Sequence, residues 1–319
     1  MKLKKWLIIS LCFILLIIIL DDRPYLEKTI RIWELEGKIF IPKDNYNKKC
    51  FVFVHGDGPM NIDARWFYKT YFSEFAKNWY CSISWNKSQD YKNQTMIQRA
   101  GEVEQAIFEL DNNIEVEKII LIWWSQSAWV MWYVDQKKID WIIQISWAVD
   151  WISQGKYMTK TRAKIEKLPE NKLKDELYSD DIFNEYLLSW LSYQEYLKTD
   201  NAQDIWKENW IFWQKNISED IRNNYANITV PYLAIFWWKD AHVDTEFSRR
   251  IYPEILWKNT KVYQELFYPN GNHLILETSE KQFINKGTDL IKNIFKNEIL
   301  WKYAYPDEYF ENIIQFTKN

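Results

Sequence analysis

Ser125 occupies a position from which a serine hydroxyl can act as a nucleophile. It follows the apolar segment 119–123 (IILIW), which has strand character, and a segment of helical character comes after it. A sharp strand-to-helix turn exposes such a hydroxyl, but the turn needs small side chains on either side. Ser127 and Ala128 meet this need, whereas Trp123 stands where glycine is expected. We therefore interpret Ser125 as a nucleophile, with a surface or helix-cap serine as the alternative.

A serine nucleophile needs a base that accepts its proton, and histidine is the usual one. The chain has three histidines, His55, His242 and His273. His55 precedes Ser125, although the expected chain order is nucleophile, acid and then histidine. His242 comes only two residues after the best acid candidate, too close to face it. We therefore predict that His273, in the loop segment PNGNHLIL, is the general base.

An ionised carboxylate is needed to hold the imidazole in the correct tautomer and to stabilise its protonated form. Asp240 lies in the segment WWKDAHVD, directly after the strand-like residues 232–236. Catalytic groups collect at the carboxyl ends of strands in open α/β sheets. We predict Asp240 as the acid, and Asp244 is the alternative because it is one helical turn further on.

The segment HGDGP at residues 55–59 follows the apolar strand-like run CFVFV at residues 50–54. A glycine-containing turn at this place can present a backbone N–H to a developing oxyanion. The N–H groups of Asp57 and Gln126 are therefore the predicted oxyanion donors. A plain loop between a strand and a helix is the alternative interpretation of this segment.

Composition limits the possible partners. The chain has 319 residues, with 41 basic and 44 acidic side chains that give a net charge of -3. No broad electropositive surface follows from this balance, so we expect no nucleic-acid partner. Cys12, Cys50 and Cys81 form no CxxC pair and no cluster with histidine, so we expect no metal and no cofactor. A chain of this length can bury its core without a disulfide or metal.

The amino end has the pattern of an export signal. Lys2, Lys4 and Lys5 precede an apolar run over residues 6–20, and charged residues follow at once. The run is shorter than the roughly 20 residues that span a bilayer, but no small-residue cleavage site follows it. We interpret residues 1–24 as an uncleaved membrane anchor with the catalytic part outside the cytoplasm. A cleaved signal, which would give a secreted protein, is the alternative.

Segments of strand and helix character alternate along the remaining chain, which predicts a mostly parallel sheet. Residues 28–41 have the alternation of an edge hairpin. Residues 151–228 are charged, aromatic and helical in pattern, and we interpret them as a cap inserted into the sheet domain. Residues 25–150 and 229–319 then form the first and second parts of one α/β core.

The sequence resembles the serine esterases and acyl-hydrolases of the α/β-hydrolase superfamily over about residues 28–315. The matching segments are HGDGP at 55–59, SWNK at 84–87, SQSAW at 125–129, KDAHVD at 239–244 and NH at 272–273. The resemblance implies an α/β-hydrolase fold and a triad of Ser125, Asp240 and His273. It also carries the family's oxyanion positions onto Asp57 and Gln126.

The expected function is hydrolysis of a carboxylic ester or related acyl bond of a small-molecule substrate. The family includes esterases, thioesterases, lipases and peptidases, so the fold does not fix the substrate. Two alternatives remain open. One is a serine peptidase at the membrane surface, and the other is a catalytically inactive binding protein on the same fold, which a genuine Trp123 would favour by blocking the turn.

The departures from the family pattern are tryptophans. The chain has 7 glycines and 20 tryptophans, whereas average usage predicts roughly 22 glycines. The tryptophans that fall on family glycines or other small residues are Trp66, Trp79, Trp123, Trp147 and Trp237. We hypothesise that the source organism reads UGA as glycine, while this translation writes tryptophan. Trp85 and Trp129 match tryptophans of the family and are expected to be genuine.

Overall fold

The computed structural model describes residues 23–224, 228–281, 283, 292–293, 296–297 and 299–318. The apolar run on which the anchor prediction rests lies outside these residues. Within the described ranges, no helix has the length and apolarity needed to cross a membrane.

An eight-stranded sheet forms the centre of the protein, with the strand order β1-β2-β4-β3-β5-β6-β7-β8. In chain order the strands are β1 (Tyr25–Ile32), β2 (Leu35–Pro42), β3 (Lys49–Val54), β4 (Cys81–Trp85), β5 (Lys118–Trp124), β6 (Trp141–Ile145), β7 (Tyr232–Trp237) and β8 (Tyr263–Tyr268). Strand β2 is antiparallel to β1 and β4, and the other pairs are parallel. The continuous apolar runs of β3, β5, β6 and β7 suit strands whose two faces are both covered.

Helices cover both faces of the sheet. In chain order, the helices of the described residues are α1 (Phe67–Lys77), α2 (Met96–Asn113), α3 (Ala128–Met131), α4 (Trp151–Glu166), α5 (Glu170–Leu188), α6 (Tyr193–Tyr196), α7 (Lys207–Asn216), α8 (Ile221–Asn224), α9 (Thr245–Leu256) and α10 (Tyr309–Phe316). Helices α1 and α10 share one apolar cluster with the sheet. Helices α2, α3 and α9 share the cluster on the opposite face. The predicted α/β class is confirmed by this arrangement.

Helices α4 to α8 lie between β6 and β7 and form the inserted cap. The cap has an apolar cluster of its own, which contains Leu187, Tyr196, Trp210 and Ile217. The rings of Tyr196 and Trp210 stack with their centroids 4.2 Å apart. The cap also packs on the sheet core, because Phe212 of α7 and Ile221 of α8 belong to the apolar cluster on one face of the sheet.

A disulfide joins Cys50 to Cys81. The two residues are partners in the parallel pair of β3 and β4, and their Cα atoms are 4.5 Å apart, within the range that a disulfide can bridge. The sequence indicates only that a chain of this length needs no disulfide for its core. The spacing of the cysteines does not reveal this bond, because the pairing depends on which strands become neighbours.

Five tryptophans adopt the left-handed backbone conformation that favours glycine: Trp33, Trp66, Trp79, Trp190 and Trp301, with φ between 50° and 75°. Trp79 shows why its position needs this conformation. Its N–H bonds Ala76 O at 2.9 Å, and the N–H of Tyr80 bonds Phe75 O at 3.0 Å. These two bonds form a Schellman motif at the end of α1, in which glycine is the usual residue.

The match of Trp123 and Trp237 to family glycines suggests tight turns at these positions, and that expectation is wrong. Trp123 is inside β5 and Trp237 is the last residue of β7, and both are buried. The buried indole N–H of Trp123 has no hydrogen-bond partner among the described residues. At Trp237 the packing is close, because a Cβ on Gly271 would come within 3.0 Å of the Trp237 Cβ.

Candidate active site

Ser125 lies in the turn between β5 and α3. Strand β5 ends at Trp124, residues 125–127 form one 3-10 turn, and α3 begins at Ala128. The backbone of Ser125 is left-handed, with φ 52°. Ser127 closes the turn, because its Oγ donates to Trp124 O at 2.7 Å and accepts from Trp124 N at 2.9 Å. A strained residue at a strand-to-helix turn is the geometry of a nucleophile elbow.

Asp240 and His273 are hydrogen-bonded partners. Asp240 follows β7, His273 follows β8, and the distance from His273 Nδ1 to Asp240 Oδ2 is 2.8 Å. Both side chains are buried, and Asp240 is 0% exposed. The Trp124 indole donates to the His273 carbonyl at 3.0 Å and so fixes the histidine loop against the elbow. The topology thus brings together an acid and a base that are far apart in the sequence.

The second carboxylate oxygen of Asp240 receives two backbone N–H groups. His242 N and Val243 N lie 2.7 and 3.0 Å from Oδ1, and the Trp237 indole lies 3.2 Å from Oδ2. Hydrogen bonds to the charged form of a carboxylate favour its ionisation. These donors also fix the plane of the carboxylate, so that Oδ2 faces His273.

Ser146 is a site residue that the sequence analysis missed. It is the first residue after β6, its φ is 52°, and its Oγ donates to Asp240 Oδ2. Burial alone would raise the pKa of Asp240, but His273, His242 and the Ser146 hydroxyl outweigh burial and lower it to about 2. Asp240 is therefore ionised at neutral pH. The position of Ser146 at the carboxyl end of a strand was the available signal.

The alternative acid, Asp244, has a different role. Its Oδ1 accepts the Phe247 N–H at 3.0 Å and caps helix α9, a common use of aspartate. His242 was set aside as a base, yet its ring centroid lies 4.7 Å from that of His273. Burial and the charge of His273 lower the pKa of His242 to about 3. His242 is therefore a neutral ring packed against the candidate base.

The HGDGP loop lies directly against the nucleophile turn. A Cβ on Gly56 would come within 3.0 Å of Trp124 O and 3.7 Å of the Ser125 Cβ. This close approach requires glycine at position 56. Gly58 has φ 84° and turns the loop back. Asp57 and Gln126 line the same cavity as Ser125, so both predicted oxyanion donors belong to residues at its wall.

A cavity of about 690 Å³ opens at Ser125 and His273, roofed by the cap residues Trp151, Met158 and Trp213. These three residues also border a second cavity, of about 430 Å³, between the cap helices. The cap is fixed to the acid loop, since the Tyr157 hydroxyl donates to Asp240 O at 2.9 Å. Mostly apolar walls with a few polar groups at one end are typical of small-molecule sites.

The described residues contain no group of three or more His, Cys, Asp or Glu side chains arranged to hold a metal ion. The third histidine, His55, is the first residue of the HGDGP loop, and its Nε2 contacts Trp85 O. Burial lowers the pKa of His55 to about 3. His55 is therefore a neutral, structural residue.

No family model and no curated protein matches the chain. Solved structures do. An esterase of Pyrococcus furiosus aligns at 14% identity over 92% of this chain and 90% of its own, with a TM-score of 0.57. A serine hydrolase of carbazole degradation aligns at 12% identity over 92% and 99%, with a TM-score of 0.53. A bromoperoxidase from Bacillus anthracis aligns at 13% identity over 92% and 100%, with a TM-score of 0.52. Identities this low show the fold alone, and the fold of this chain is the α/β-hydrolase fold.

Proposed function

We propose that this protein is a serine hydrolase that cleaves a carboxylic ester or a related acyl bond through an acyl-enzyme on Ser125. The observation that carries the proposal is the buried hydrogen bond between Asp240 and His273, 2.8 Å long, at a cavity whose wall also contains Ser125. An ionised carboxylate, an imidazole and a serine in a strained turn have the chemistry of a catalytic triad.

In the proposed reaction, Ser125 Oγ attacks the acyl carbon and its proton passes to His273. Asp240 is hydrogen-bonded to Nδ1 of the ring, so Nε2 is the nitrogen that takes that proton. The N–H groups of Asp57 and Gln126 receive the oxyanion. The tetrahedral intermediate then collapses, and His273 gives the proton to the leaving group. Water attacks the acyl-enzyme with His273 again as base, which releases the acid and restores Ser125.

The cavity supports an ester or thioester with an apolar acyl group as the substrate. Trp129, Trp151, Met158 and Trp213 supply apolar walls close to the nucleophile. The peptidase alternative requires charged cap residues that are free to bind a chain end. In the cap, however, Arg162 pairs with Glu176 at 2.9 Å and Asp180 accepts from Thr159 at 2.7 Å. Because these charged side chains already have partners, the pairings favour an acyl substrate over a peptide.

The inactive alternative depended on a bulky Trp123 beside the nucleophile. Trp123 is buried inside β5, and the cavity at Ser125 is bordered by Trp124 instead. A fluorophosphonate probe, which reacts only with an activated serine, tests the enzyme proposal directly. We expect labelling of the wild type and of Ser189→Ala, an exposed cap serine, and no labelling of Ser125→Ala. An unlabelled wild type would favour the binding protein.

We further propose that residues 1–24 anchor the enzyme in a membrane with the catalytic domain outside the cytoplasm. The basic residues before the apolar run support this orientation. The disulfide between Cys50 and Cys81 adds support, because such bonds persist in oxidising compartments. A membrane-impermeant biotin reagent applied to intact cells should label the protein in the membrane fraction. Labelling only after lysis would contradict the orientation, and labelled protein in the medium would indicate a cleaved signal.

A further inference from the structure

Two buried basic side chains, Lys87 and Arg99, lie behind the HGDGP loop, and the proposed reaction does not use them. Lys87 and Arg99 are 7% and 4% exposed. Moving a charged group out of water costs several kcal/mol unless its donors are satisfied. Their hydrogen-bond partners are therefore the place to look for what these two residues do.

Lys87 binds the loop at three alternate carbonyls. Its Nζ donates to Gly56 O at 2.7 Å and to Gly58 O at 3.1 Å, and its backbone N donates to Met60 O at 2.9 Å. The Tyr91 ring lies 4.1 Å from the same Nζ, close enough for a cation–π contact. Lys87 thus fixes the orientation of three alternate peptide groups along the loop.

The Gly56–Asp57 peptide is the important one. None of the described peptide bonds is cis, and in a trans peptide the C=O and N–H point in opposite directions. With Gly56 O held towards Lys87, the Asp57 N–H must point away from Lys87. Gly56 packs on the Ser125 turn and Asp57 lines the cavity, so Lys87 sets the direction of the predicted oxyanion donor.

Arg99, on helix α2, connects the loop to the nucleophile turn. Its Nη2 donates to His55 O at 2.5 Å, and its Nη1 donates to Gln126 Oε1 at 3.1 Å. His55 begins the loop, and Gln126 supplies the second oxyanion N–H. A guanidinium presents its donors in a rigid fork, so Arg99 fixes the distance between the two halves of the oxyanion site.

We propose that Lys87 and Arg99 are positioning residues that hold the N–H groups of Asp57 and Gln126 in the orientation needed to stabilise the oxyanion. This inference rests on the proposed hydrolase function. Charge-assisted bonds to the carbonyls also polarise the peptides, which strengthens the N–H donors on the other side. Lys87 acts through loop carbonyls, and Arg99 acts through the His55 carbonyl and the Gln126 side chain. Neither residue lines the cavity.

The test compares Lys87→Met and Arg99→Met with the wild type, using an aryl ester and an aryl trifluoromethyl ketone. The ketone forms a tetrahedral oxyanion on the serine and so reports on the oxyanion donors. Removing one such donor lowers kcat by about 10²- to 10³-fold, and we expect a smaller loss of about 10- to 100-fold from misplacing it. KM should change by less than about threefold, because the substrate carbonyl binds the donors weakly in the ground state.

Three comparisons separate positioning from a merely structural role. The inhibition constant of the ketone should rise by the same factor as kcat/KM falls, with rates normalised to fluorophosphonate-titrated sites. Arg99→Lys, which retains a charged donor, should recover part of the loss. The exposed-site controls Lys137→Met and Arg250→Met should match the wild type. Should Lys87→Met fail to fold, the two Arg99 variants carry the test.

Wild-type kcat and ketone affinity per titrated site in both Met variants would overturn the inference and leave the hydrolase proposal intact. A wild type that neither hydrolyses esters nor reacts with the fluorophosphonate would overturn both. A uniform rise in KM at unchanged kcat would also contradict positioning, because it indicates lost substrate binding.

Discussion

The imidazole of His273 contacts two groups of opposite character. The Asp240 carboxylate lies 2.8 Å from Nδ1, and the neutral ring of His242 lies 4.7 Å away between centroids. The bond to the carboxylate fixes the orientation of the His273 ring. This arrangement suits a base that must gain and lose a proton in one orientation.

Asp240→Asn should lower kcat by about 10²- to 10⁴-fold, because the amide can favour the wrong tautomer of His273. Asp244→Asn is the matched control, since asparagine is also a good helix cap and α9 should keep its first turn. We expect activity within about threefold of the wild type for the control. Steady-state kinetics on an aryl ester measure both, and greater damage from Asp244→Asn would show that the acid has been assigned wrongly.

Acid should destabilise this protein at pH values where carboxylates of ordinary pKa are still ionised. Burial lowers the pKa of both His55 and His242 to about 3 in the folded chain, from 6.5. The unfolded chain therefore binds more protons between these values. The histidine contribution to stability is complete above pH 6.5 and is lost as the pH falls towards 3, at up to about 1.4 kcal/mol per pH unit for each histidine. The contribution of Asp240 to stability is lost only at lower pH, because its pKa in the folded chain is about 2.

Glu219 gives the free energy of unfolding the opposite dependence on pH. Burial raises the pKa of Glu219 to about 7 from 4.5. Its contribution to stability is therefore present below pH 4.5 and falls as the pH rises towards 7. Urea unfolding of the wild type, His55→Leu and Glu219→Gln between pH 4.5 and 6.5 separates the two effects. His55→Leu should flatten the dependence of unfolding free energy on pH, and Glu219→Gln should steepen it. Parallel curves for all three proteins would refute the assignment.

Much of the fold could be predicted from the sequence because its strands are short apolar runs between helical segments. Strands β3, β5 and β7 differ from their predicted bounds by at most one residue at either end. The predicted acid, base and oxyanion segments lie at the carboxyl ends of such strands, where the fold brings them together. Chain order then limited the choice among three histidines.

Contacts that depend on tertiary packing could not be predicted. Ser146, Lys87 and Arg99 reach their partners only after strands and loops have assembled, and no spacing in the sequence reveals those distances. The Cys50–Cys81 pair is hidden for the same reason. The family motif predicts a glycine turn at Trp123, whereas strand β5 continues through that position.

Native protein from its source should carry glycine at Trp79, Trp123 and Trp237, and tryptophan at Trp85 and Trp129. Trp79 lies at a helix end before a strand, where a glycine C-cap is expected, and its left-handed backbone fits that expectation. Peptide mass spectrometry decides the matter, and tryptophan found at these three positions would refute the recoding hypothesis.

A recombinant protein allows a second test, which measures how a tryptophan at position 79 affects stability. Trp79→Gly should raise the free energy of unfolding by about 1 to 2 kcal/mol, because it removes the left-handed penalty of a residue with a Cβ. Trp257 is the matched control, since it is also exposed and at a helix end but has φ -60°. Trp257→Gly should leave stability unchanged or lower it. Equal effects from both substitutions would contradict the explanation by backbone strain.

The most direct test of the central claim is the hydrolysis of a short-chain aryl ester by Ser125→Ala. The hydroxyl is the proposed nucleophile and its removal takes nothing from the apolar core, so the variant should retain the wild-type circular dichroism spectrum and melting temperature. We predict that the wild type turns over the ester and that the variant loses at least about 10³-fold in kcat. A folded Ser125→Ala protein that hydrolyses the ester at the wild-type rate would contradict the account.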